Sequence, residues 1–226
     1  MAVAATNTIP TFDVWEDPLA LLPRRKPQQF ERDQTIYSRD DPADSLYLVV
    51  DGAVKVSRVS SETGRETVID VESSESFFGI SSLLQSGERG EQAIALERSQ
   101  VMEWYASDLR ELISRTPELG PALMRMVAQK LVEADTRIES FANDHIPRRL
   151  VKALLRLGER FGESSGASTI RLMPLTHELL ARHVGTSREI VTQHMSGLRR
   201  QGLLTYSRSG LEFDPEKLRD GLDQIR

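Results

Sequence analysis

Polar and charged side chains recur on one short predicted helix in the carboxyl-terminal part of the chain. Thr186 and Glu189 have the spacing of a capping box, in which the threonine hydroxyl and the glutamate carboxylate satisfy free amides at a helix start. Apolar residues follow at three- and four-residue steps and predict a buried stripe of Ile190, Val191, Leu198 and either His194 or Met195. The outer face is predicted to carry Ser187, Arg188, Thr192, Gln193 and Ser196.

This outer face has the donors and acceptors that would match the edges of DNA bases. Arg188 can form two hydrogen bonds to guanine O6 and N7, Glu189 can accept one from cytosine N4, and Gln193 can pair with adenine, each contact discriminating by about 1–3 kcal/mol. A helix N-terminus also favours phosphate. Nearby arginines are expected to bind backbone phosphates without specifying sequence: Arg182, Arg199 and Arg200. The predicted DNA-binding set is Thr186, Ser187, Arg188, Glu189, Thr192, Gln193, Arg199, Arg200 and Arg182.

A second helix is predicted immediately before this one, so that the pair forms a helix-turn-helix. Thr176 can cap it, and Gly185 can form the tight turn after its last residue. Its apolar positions recur at helical spacing: Leu179, Leu180 and Val184. The alternative interpretation is a plain packing corner with a solvated pair between Arg188 and Glu189.

The charge distribution favours DNA binding over a plain packing corner. The whole chain has a formal net charge of −5. Residues 146–226, however, contain 14 Lys and Arg against 9 Asp and Glu, a net charge of +5. A local basic region on an acidic protein is typical of a specific DNA-binding module and argues against indiscriminate nucleic-acid binding.

Composition limits the other functions. A chain of 226 residues, 39% of them hydrophobic, can form one or two domains, and two are favoured. The lack of cysteine excludes disulfides, thiolate metal sites, iron–sulfur clusters and thiol redox sensing. No apolar run approaches the roughly 18 residues of a membrane span, and the N-terminus lacks a signal-peptide pattern. We therefore expect a cytoplasmic protein without a membrane partner, whose residues 1–12 form a loose tail.

From Phe30 to Trp104 the hydrophobic pattern has period two with frequent turns, which predicts many short strands. The predicted strands are 35–37, 45–50, 53–57, 67–71, 93–96 and 101–104. Short strands at regular spacing indicate a small antiparallel barrel or roll.

A long amphipathic helix is predicted after the strands. Ser107 can cap a short helix over 108–114, and Thr116-Pro117-Glu118 can begin a second helix that continues to Asn143. One barrel cannot easily cover both ends of the apolar stripe on this helix, so we expect a homodimer. The predicted interface is Leu123, Val127, Leu131, Ala134, Ile138 and Phe141. Asp144 to Pro147 interrupts the helix, which divides the chain into segments 1–106, 107–145 and 146–226.

This order of elements resembles the CRP/FNR family, that of the cyclic AMP receptor protein and the FNR regulator, over almost the whole chain. The segment 45–56 resembles the second barrel hairpin of the family, Phe78-Gly79 the start of its phosphate loop, and 186–191 its recognition helix. Gly202-Leu203-Leu204 resembles the entry to the wing, with a wing turn at Ser209-Gly210.

The resemblance implies an α+β fold: an N-terminal antiparallel β-roll like a cyclic-nucleotide-binding domain, a long dimerisation helix and a C-terminal winged helix-turn-helix. It also implies a bacterial transcription regulator that binds double-stranded DNA as a homodimer, on a pseudo-palindrome with half-sites about one helical turn apart, with RNA polymerase as a further partner. The family's DNA contacts map to Arg188 and Glu189. Its third reader, usually arginine, is Gln193 here, which is expected to weaken guanine preference and admit adenine.

The effector site departs from the cyclic AMP-binding members. They hold the ribose with a glutamate and the cyclic phosphate with an arginine, where this chain has Ile80 and Glu91. Losing the arginine and gaining a negative charge should cost several kcal/mol. Arg89 is either a substitute phosphate ligand or a solvated loop residue. The candidate pocket is Phe78, Gly79, Ile80, Ser81, Arg89, Ala134 and Asp135, where Ala134-Asp135 replaces the family's adenine-contacting pair. Cyclic AMP is therefore not the expected ligand, and the effector is unknown.

Other chemistries have weaker support in the sequence. The four histidines all lie outside the predicted barrel: His145, His177, His183 and His194. Their positions indicate neither a haem nor a metal site, so no cofactor is expected. No nucleophile–base pair or catalytic phosphate loop is recognisable, and an enzyme is not expected. The alternative to a cyclic AMP-independent regulator is a small-molecule or second-messenger sensor, in which the β-roll ligand controls or replaces DNA binding.

Overall fold

The computed structural model describes residues 17–84, 87–207 and 210–222. The predicted N-terminal tail and Ser209 of the predicted wing turn lie outside these residues. The helices are α1 (Pro18–Leu21), α2 (Ala106–Arg115), α3 (Leu119–Asn143), α4 (Ile146–Phe161), α5 (His177–Val184), α6 (Arg188–Arg200) and α7 (Pro215–Leu222), and a 3₁₀ helix covers Ile80–Leu84. The strands are β1 (Gln28–Phe30), β2 (Thr35–Tyr37), β3 (Ser45–Asp51), β4 (Val54–Val59), β5 (Glu66–Glu72), β6 (Phe77–Phe78), β7 (Gln92–Ala95), β8 (Ser99–Tyr105), β9 (Glu163–Ser164), β10 (Ile170–Leu172), β11 (Leu204–Ser207) and β12 (Gly210–Phe213).

Strands β1 to β8 form the predicted antiparallel β-roll. One sheet has the order β1-β8-β3-β6 and the other the order β2-β7-β4-β5. Alternate residues point between the sheets, where Val49, Val54, Phe78 and Val101 are almost completely buried. The predicted strands are all present to within two residues at each end, and β1 and β6 are additional short strands.

The starts of α2 and α3 differ from the predicted ones. Ala106 donates its N–H to Asp44 O at the end of β8, so α2 begins at Ala106, and the predicted cap Ser107 already lies inside it. Helix α3 begins at Leu119 because the preceding bond from Leu119 N to Thr116 O spans three residues and forms a turn tighter than an α-helix. The predicted end at Asn143 is confirmed.

The two halves of α3 have different surroundings. Leu119, Leu123 and Met126 pack in the β-roll core around Trp104. Leu123 is therefore only 5% exposed and has little surface to offer a partner, so its assignment to the dimer interface is wrong. The later apolar side chains are exposed: Val127, Leu131, Val132, Ile138 and Phe141.

The C-terminal segment has its own core, and that core reaches the β-roll. Helices α4, α5, α6 and α7 pack around buried residues that include Leu154, Leu180 and Val191, beside a sheet of order β11-β12-β10-β9. Val68 and Val71 of β5 belong to the same buried cluster. The antiparallel β11 and β12 form the predicted wing hairpin.

Ion pairs accompany this contact between β5 and the helices. Arg160 of α4 donates to Asp70 at 2.9 Å and to Glu72 at 2.6 Å, and Lys130 of α3 lies 2.5 Å from Glu72. Burial disfavours the ionised form of Asp70, but Arg160 and Lys130 outweigh it and hold its pKa below the ordinary value. Burial raises the pKa of Glu72. Removing one partner from such a buried cluster typically costs about 3–5 kcal/mol.

Replacing Gly185 by alanine is expected to destabilise the chain more than replacing Gly202. Both glycines have φ of +72°, which is unfavourable for any residue with a Cβ. A Cβ at Gly185 would also lie 2.7 Å from the Phe141 ring, whereas Gly202 faces open space. In urea unfolding followed by circular dichroism, we expect losses of about 2–3 kcal/mol for Gly185→Ala and about 1 kcal/mol for Gly202→Ala. Equal losses of unfolding free energy in the two variants would contradict the close contact between Gly185 and the Phe141 ring.

Candidate nucleic-acid interface

Helices α5 and α6 form the predicted helix-turn-helix. The Thr176 hydroxyl accepts from Leu179 N at 3.1 Å and caps α5. Gly185 ends α5 in the left-handed conformation that the sharp turn requires. Both of these predicted roles are confirmed.

The cap of α6 is Ser187, and the predicted capping box from Thr186 to Glu189 is wrong. Thr186 N donates to Ala181 O at 3.0 Å, so Thr186 still belongs to the turn that closes α5. The Ser187 hydroxyl instead accepts from Ile190 N at 3.4 Å. The helix consequently begins at Arg188.

The burial of α6 matches the predicted stripe. Val191, Met195 and Leu198 are buried, which decides the choice between His194 and Met195 in favour of the methionine. The opposite face exposes most of the predicted DNA-binding side chains: Ser187, Arg188, Glu189, Thr192, Gln193, Arg199 and Arg200. Hydrogen bonds from its own backbone N–H and from Ser187 lower the pKa of Glu189, so this carboxylate is an ionised acceptor near neutral pH.

Contacts that were not predicted connect α6 with α5 and the wing. Thr192 donates its hydroxyl proton to Arg188 O at 2.8 Å, so it accepts in its 2.9 Å contact with Nδ1 of His177. The His177 ring packs edge-on against the Tyr206 ring of the wing, and the Arg199 guanidinium lies 5.2 Å from the centre of the Tyr206 ring. The sequence gives no signal for this cluster, because its members are brought together only when the wing folds back on α6.

Arg182, a predicted phosphate ligand, is paired with carboxylates in this arrangement. It bonds Glu178 in the preceding turn of α5 at 2.8 Å and also Glu66 of β5. The helix-turn-helix is therefore joined to the β-roll through Arg182.

A cavity of about 470 Å³ lies between the β-roll and α3. It is lined by most of the predicted effector residues, namely Phe78, Gly79, Ile80, Ser81 and Ala134. Glu91 also lines it, is 9% exposed, accepts a hydrogen bond from Ser81 at 3.2 Å and lies 3.7 Å from Arg58. Asp135 does not line the cavity, since its side chain is on the exposed side of α3.

Arg89 is a structural residue, and both sequence interpretations of it are wrong. It is 1% exposed, and it does not line the cavity. Its guanidinium donates to Ser45 O at 2.6 Å and Gly79 O at 3.2 Å and lies 4.1 Å from the centre of the Tyr37 ring. These bonds hold the loop before β7 against the roll.

His183 of α5 is buried beside two arginines. Burial, together with the charges of Arg137 and Arg156, lowers its pKa to about 3, so the ring is neutral near neutral pH. Within the described residues there is no group of His, Cys, Asp and Glu side chains that could hold a metal ion. The helices of the described ranges are too short or too polar to cross a membrane.

Two family models match successive parts of the chain. Residues 27–116 match the family model of the cyclic nucleotide-binding domain, and residues 148–220 match that of the Crp-like helix-turn-helix domain. The chain is 31% identical to the global nitrogen regulator of Synechococcus elongatus, over 84% of this chain and 87% of that protein. It is 29% identical to the CRP-like cAMP-activated global transcriptional regulator of Mycobacterium tuberculosis, over 88% and 89%. The fold is similar to that of FixK2 from Bradyrhizobium japonicum, with a TM-score of 0.74 at 23% identity over 86% of this chain and 96% of that one.

Below about pH 6.5 the stability of the folded chain is expected to fall because of His183. The unfolded chain takes up a proton there, whereas the folded chain does so only near the lowered pKa of about 3. The free energy of unfolding should therefore decrease by up to about 1.4 kcal/mol per pH unit as pH falls from 6 to 4.5. We expect His183→Gln to remove this component in urea unfolding and the exposed His145→Gln to keep it. Parallel pH profiles for wild type and His183→Gln would contradict the assignment.

Proposed function

Because the chain belongs to the CRP/FNR family of DNA-binding transcription regulators, we propose that it binds a pseudo-palindromic DNA site as a homodimer and does so without cyclic AMP. The observation that carries the proposal is the exposed polar face of α6. Its opposite face is fixed in a core by Val191, Met195 and Leu198, so the outer side chains project from a rigid helix.

Base reading is assigned to three exposed side chains at the start of α6. Arg188 would donate to guanine, ionised Glu189 would accept from cytosine, and Gln193, one turn later, would pair with adenine. Arg199 and Arg200 would bind backbone phosphates. Arg182 would join them only when its bond to Glu66 is broken.

The homodimer is assigned to the carboxyl-terminal half of α3. Leu131 and Ile138 lie one heptad apart and are 60% and 66% exposed. Val127 and Phe141 extend this stripe, and Ala134 lies within it. A sustained apolar stripe on an exposed helix favours pairing with a second copy, and two-fold symmetry would place two recognition helices about one turn of DNA apart.

Two features of the wall of the β-roll cavity support independence from cyclic AMP. Ile80 offers no acceptor for a ribose hydroxyl, and buried Glu91 puts a negative charge in the space that a cyclic phosphate would need. The wall also contains the carboxylates of Asp70, Glu72 and Glu133 and the cations Arg58, Lys130 and Arg137, of which Arg58 lies 3.7 Å from Glu91. At Glu91 itself the phosphate would meet a carboxylate in place of a charge-assisted bond.

A sensor is the second candidate function, and the size of the β-roll cavity favours it. About 470 Å³ with apolar walls that include Ile69, Phe77 and Val127 is sufficient for a small molecule. Coupling between the two sites has to be reciprocal. A ligand that stabilises the roll but does not change DNA affinity would show that the two sites are not coupled. This result would favour a sensor whose function no longer involves DNA binding.

Selection of bound duplexes from a random pool at fixed salt tests the regulator directly. We expect one palindromic consensus, the same with and without cyclic AMP. A consensus that forms only with cyclic AMP would overturn the assignment of the cavity, and the lack of any consensus would favour the sensor.

Substitutions at opposite ends of α6 separate base reading from phosphate binding. Arg188→Ala is expected to relax specificity at one base pair of each half-site at a cost of about 1–3 kcal/mol. Arg199→Ala should weaken binding to all sequences and reduce the salt slope by about one unit. An unchanged preferred site for Arg188→Ala, measured by competition between duplexes, would show that another residue reads that position.

A charge in the middle of the exposed stripe should separate the dimer without unfolding the chain. For Leu131→Glu and Ile138→Glu we expect a molecular mass near 25.4 kDa by light scattering and an unchanged far-ultraviolet spectrum. Tyr105→Glu, which places the same charge on an exposed apolar side chain outside α3, should keep the dimer mass. If both α3 variants still had the mass of a dimer, the interface would lie elsewhere on the chain.

A further inference from the structure

A second cavity, of about 410 Å³, lies where α3 meets α4, α5 and α7. It is separate from the exposed face of α6. Cationic side chains dominate its polar lining: Arg137, Arg149, Lys152, Arg156 and Arg219. The acidic lining residue is Glu159, and the apolar lining includes Phe141 and Leu155. We refer to it below as the cationic cavity.

Most of these cations lack an acidic partner. Lys152 is paired with Asp144 at 2.6 Å, and Arg219 with Glu159 at 3.5 Å. In the described part of the chain, Arg137, Arg149 and Arg156 have no carboxylate oxygen within 4.0 Å. The cavity therefore has three guanidinium groups whose charge is not compensated by an ion pair.

The contacts of these arginines leave donors unused. Arg137 donates to the carbonyl oxygens of Val68 and His183 at 3.1 and 3.4 Å. Arg149 lies 4.9 Å from the centre of the Phe141 ring, and its buried Nε has no acceptor in the described residues. Burial and the charge of Arg156 lower the pKa of Arg137 to about 10, which reflects the cost of holding these charges together.

The wall of the cavity also contains an unpaired neutral donor. Arg156 lies 3.0 Å from Nε2 of His183, and because a guanidinium can only donate, Nε2 must accept. The proton of the neutral ring is then on Nδ1. This N–H is buried, in a side chain that is 3% exposed, and it has no acceptor among the described residues. Unpaired buried donors are rare in folded proteins, and this N–H is the second such donor in the lining residues of the cavity, after Nε of Arg149.

We propose that the cationic cavity binds a phosphate-bearing small molecule. Guanidinium groups present paired donors that match the oxygens of phosphate, and a dianion would offset most of the charge of Arg137, Arg149 and Arg156. The cavity volume lies within the range of small-molecule sites, and Phe141, Leu155 and other apolar side chains of the wall can cover the organic part of the ligand. The walls come from both α3 and the helix-turn-helix, so an occupied site would favour the arrangement in which these elements are packed together.

Thermal unfolding of the full chain with inorganic pyrophosphate tests the site, using sodium chloride at the same ionic strength as the reference. We expect a saturable rise in the midpoint temperature for the wild type. The rise should be lost in Arg156→Gln and in Arg149→Gln. Arg200→Gln, which removes an exposed cation from α6, should keep it.

Arg156→Gln removes the repulsion from Arg137 but also the attraction to Asp70, and glutamine can still donate to His183. Without pyrophosphate we therefore expect a midpoint close to that of the wild type. An arginine with a purely structural role would give a lower midpoint. A second variant, Arg149→Gln, leaves the bond between Arg156 and His183 intact. A loss of the pyrophosphate effect in this variant therefore reports on anion binding and not on the structural bond to His183.

Three results would overturn the proposal. The rise could be the same in all variants, which would show non-specific binding, or it could be lost in Arg200→Gln, which would place the anion on the DNA-binding face. The third is an absence of saturation together with weaker duplex binding and a smaller salt slope for Arg156→Gln. That result would show that the arginines bind the phosphates of DNA.

Discussion

The arrangement of the whole chain depends on the contact between strand β5 and the C-terminal core. The pairing of β5 with β4 shifts register at a bulge, where Ser57 pairs with Val68 and Val56 pairs with Asp70. Residues three apart on a regular strand would face opposite sides of the sheet, but the bulge changes the alternation, and Val68 and Val71 both enter the C-terminal core. A strand of the β-roll is thereby part of the hydrophobic core of the DNA-binding half.

Ion pairs make this contact specific. Buried Glu72 and partly buried Asp70 lie beside Arg160 and Lys130, and such charges are tolerated only when the partners are in place. Sliding α4 along β5 would leave them unpaired. The helix-turn-helix is held against the same strand through Arg182 and Glu66, so one of its basic side chains is occupied by the β-roll. The exposure of this guanidinium thus depends on the contact between the two halves.

Helix α3 connects the proposed activities. Its first half completes the β-roll core, and its second half exposes the stripe that includes Leu131 and Ile138. Arg137, on the same half, lines both the β-roll cavity and the cationic cavity. A movement of α3 would therefore change both cavities, and its exposed stripe, together.

Period-two and helical patterns were enough to predict the β-roll, the long helix and the helix-turn-helix, because each is encoded by the spacing of apolar residues close together in the sequence. The same local logic placed Arg188, Glu189 and Gln193 on an exposed face. It failed for Arg89, since its bonds to Ser45 and Gly79 join segments that are distant in sequence. The sequence by itself determined the elements and the exposed polar face of α6. Only the tertiary structure decided which charges are paired across β5 and which remain uncompensated in the cationic cavity, because pairing depends on distances between elements that no local pattern encodes.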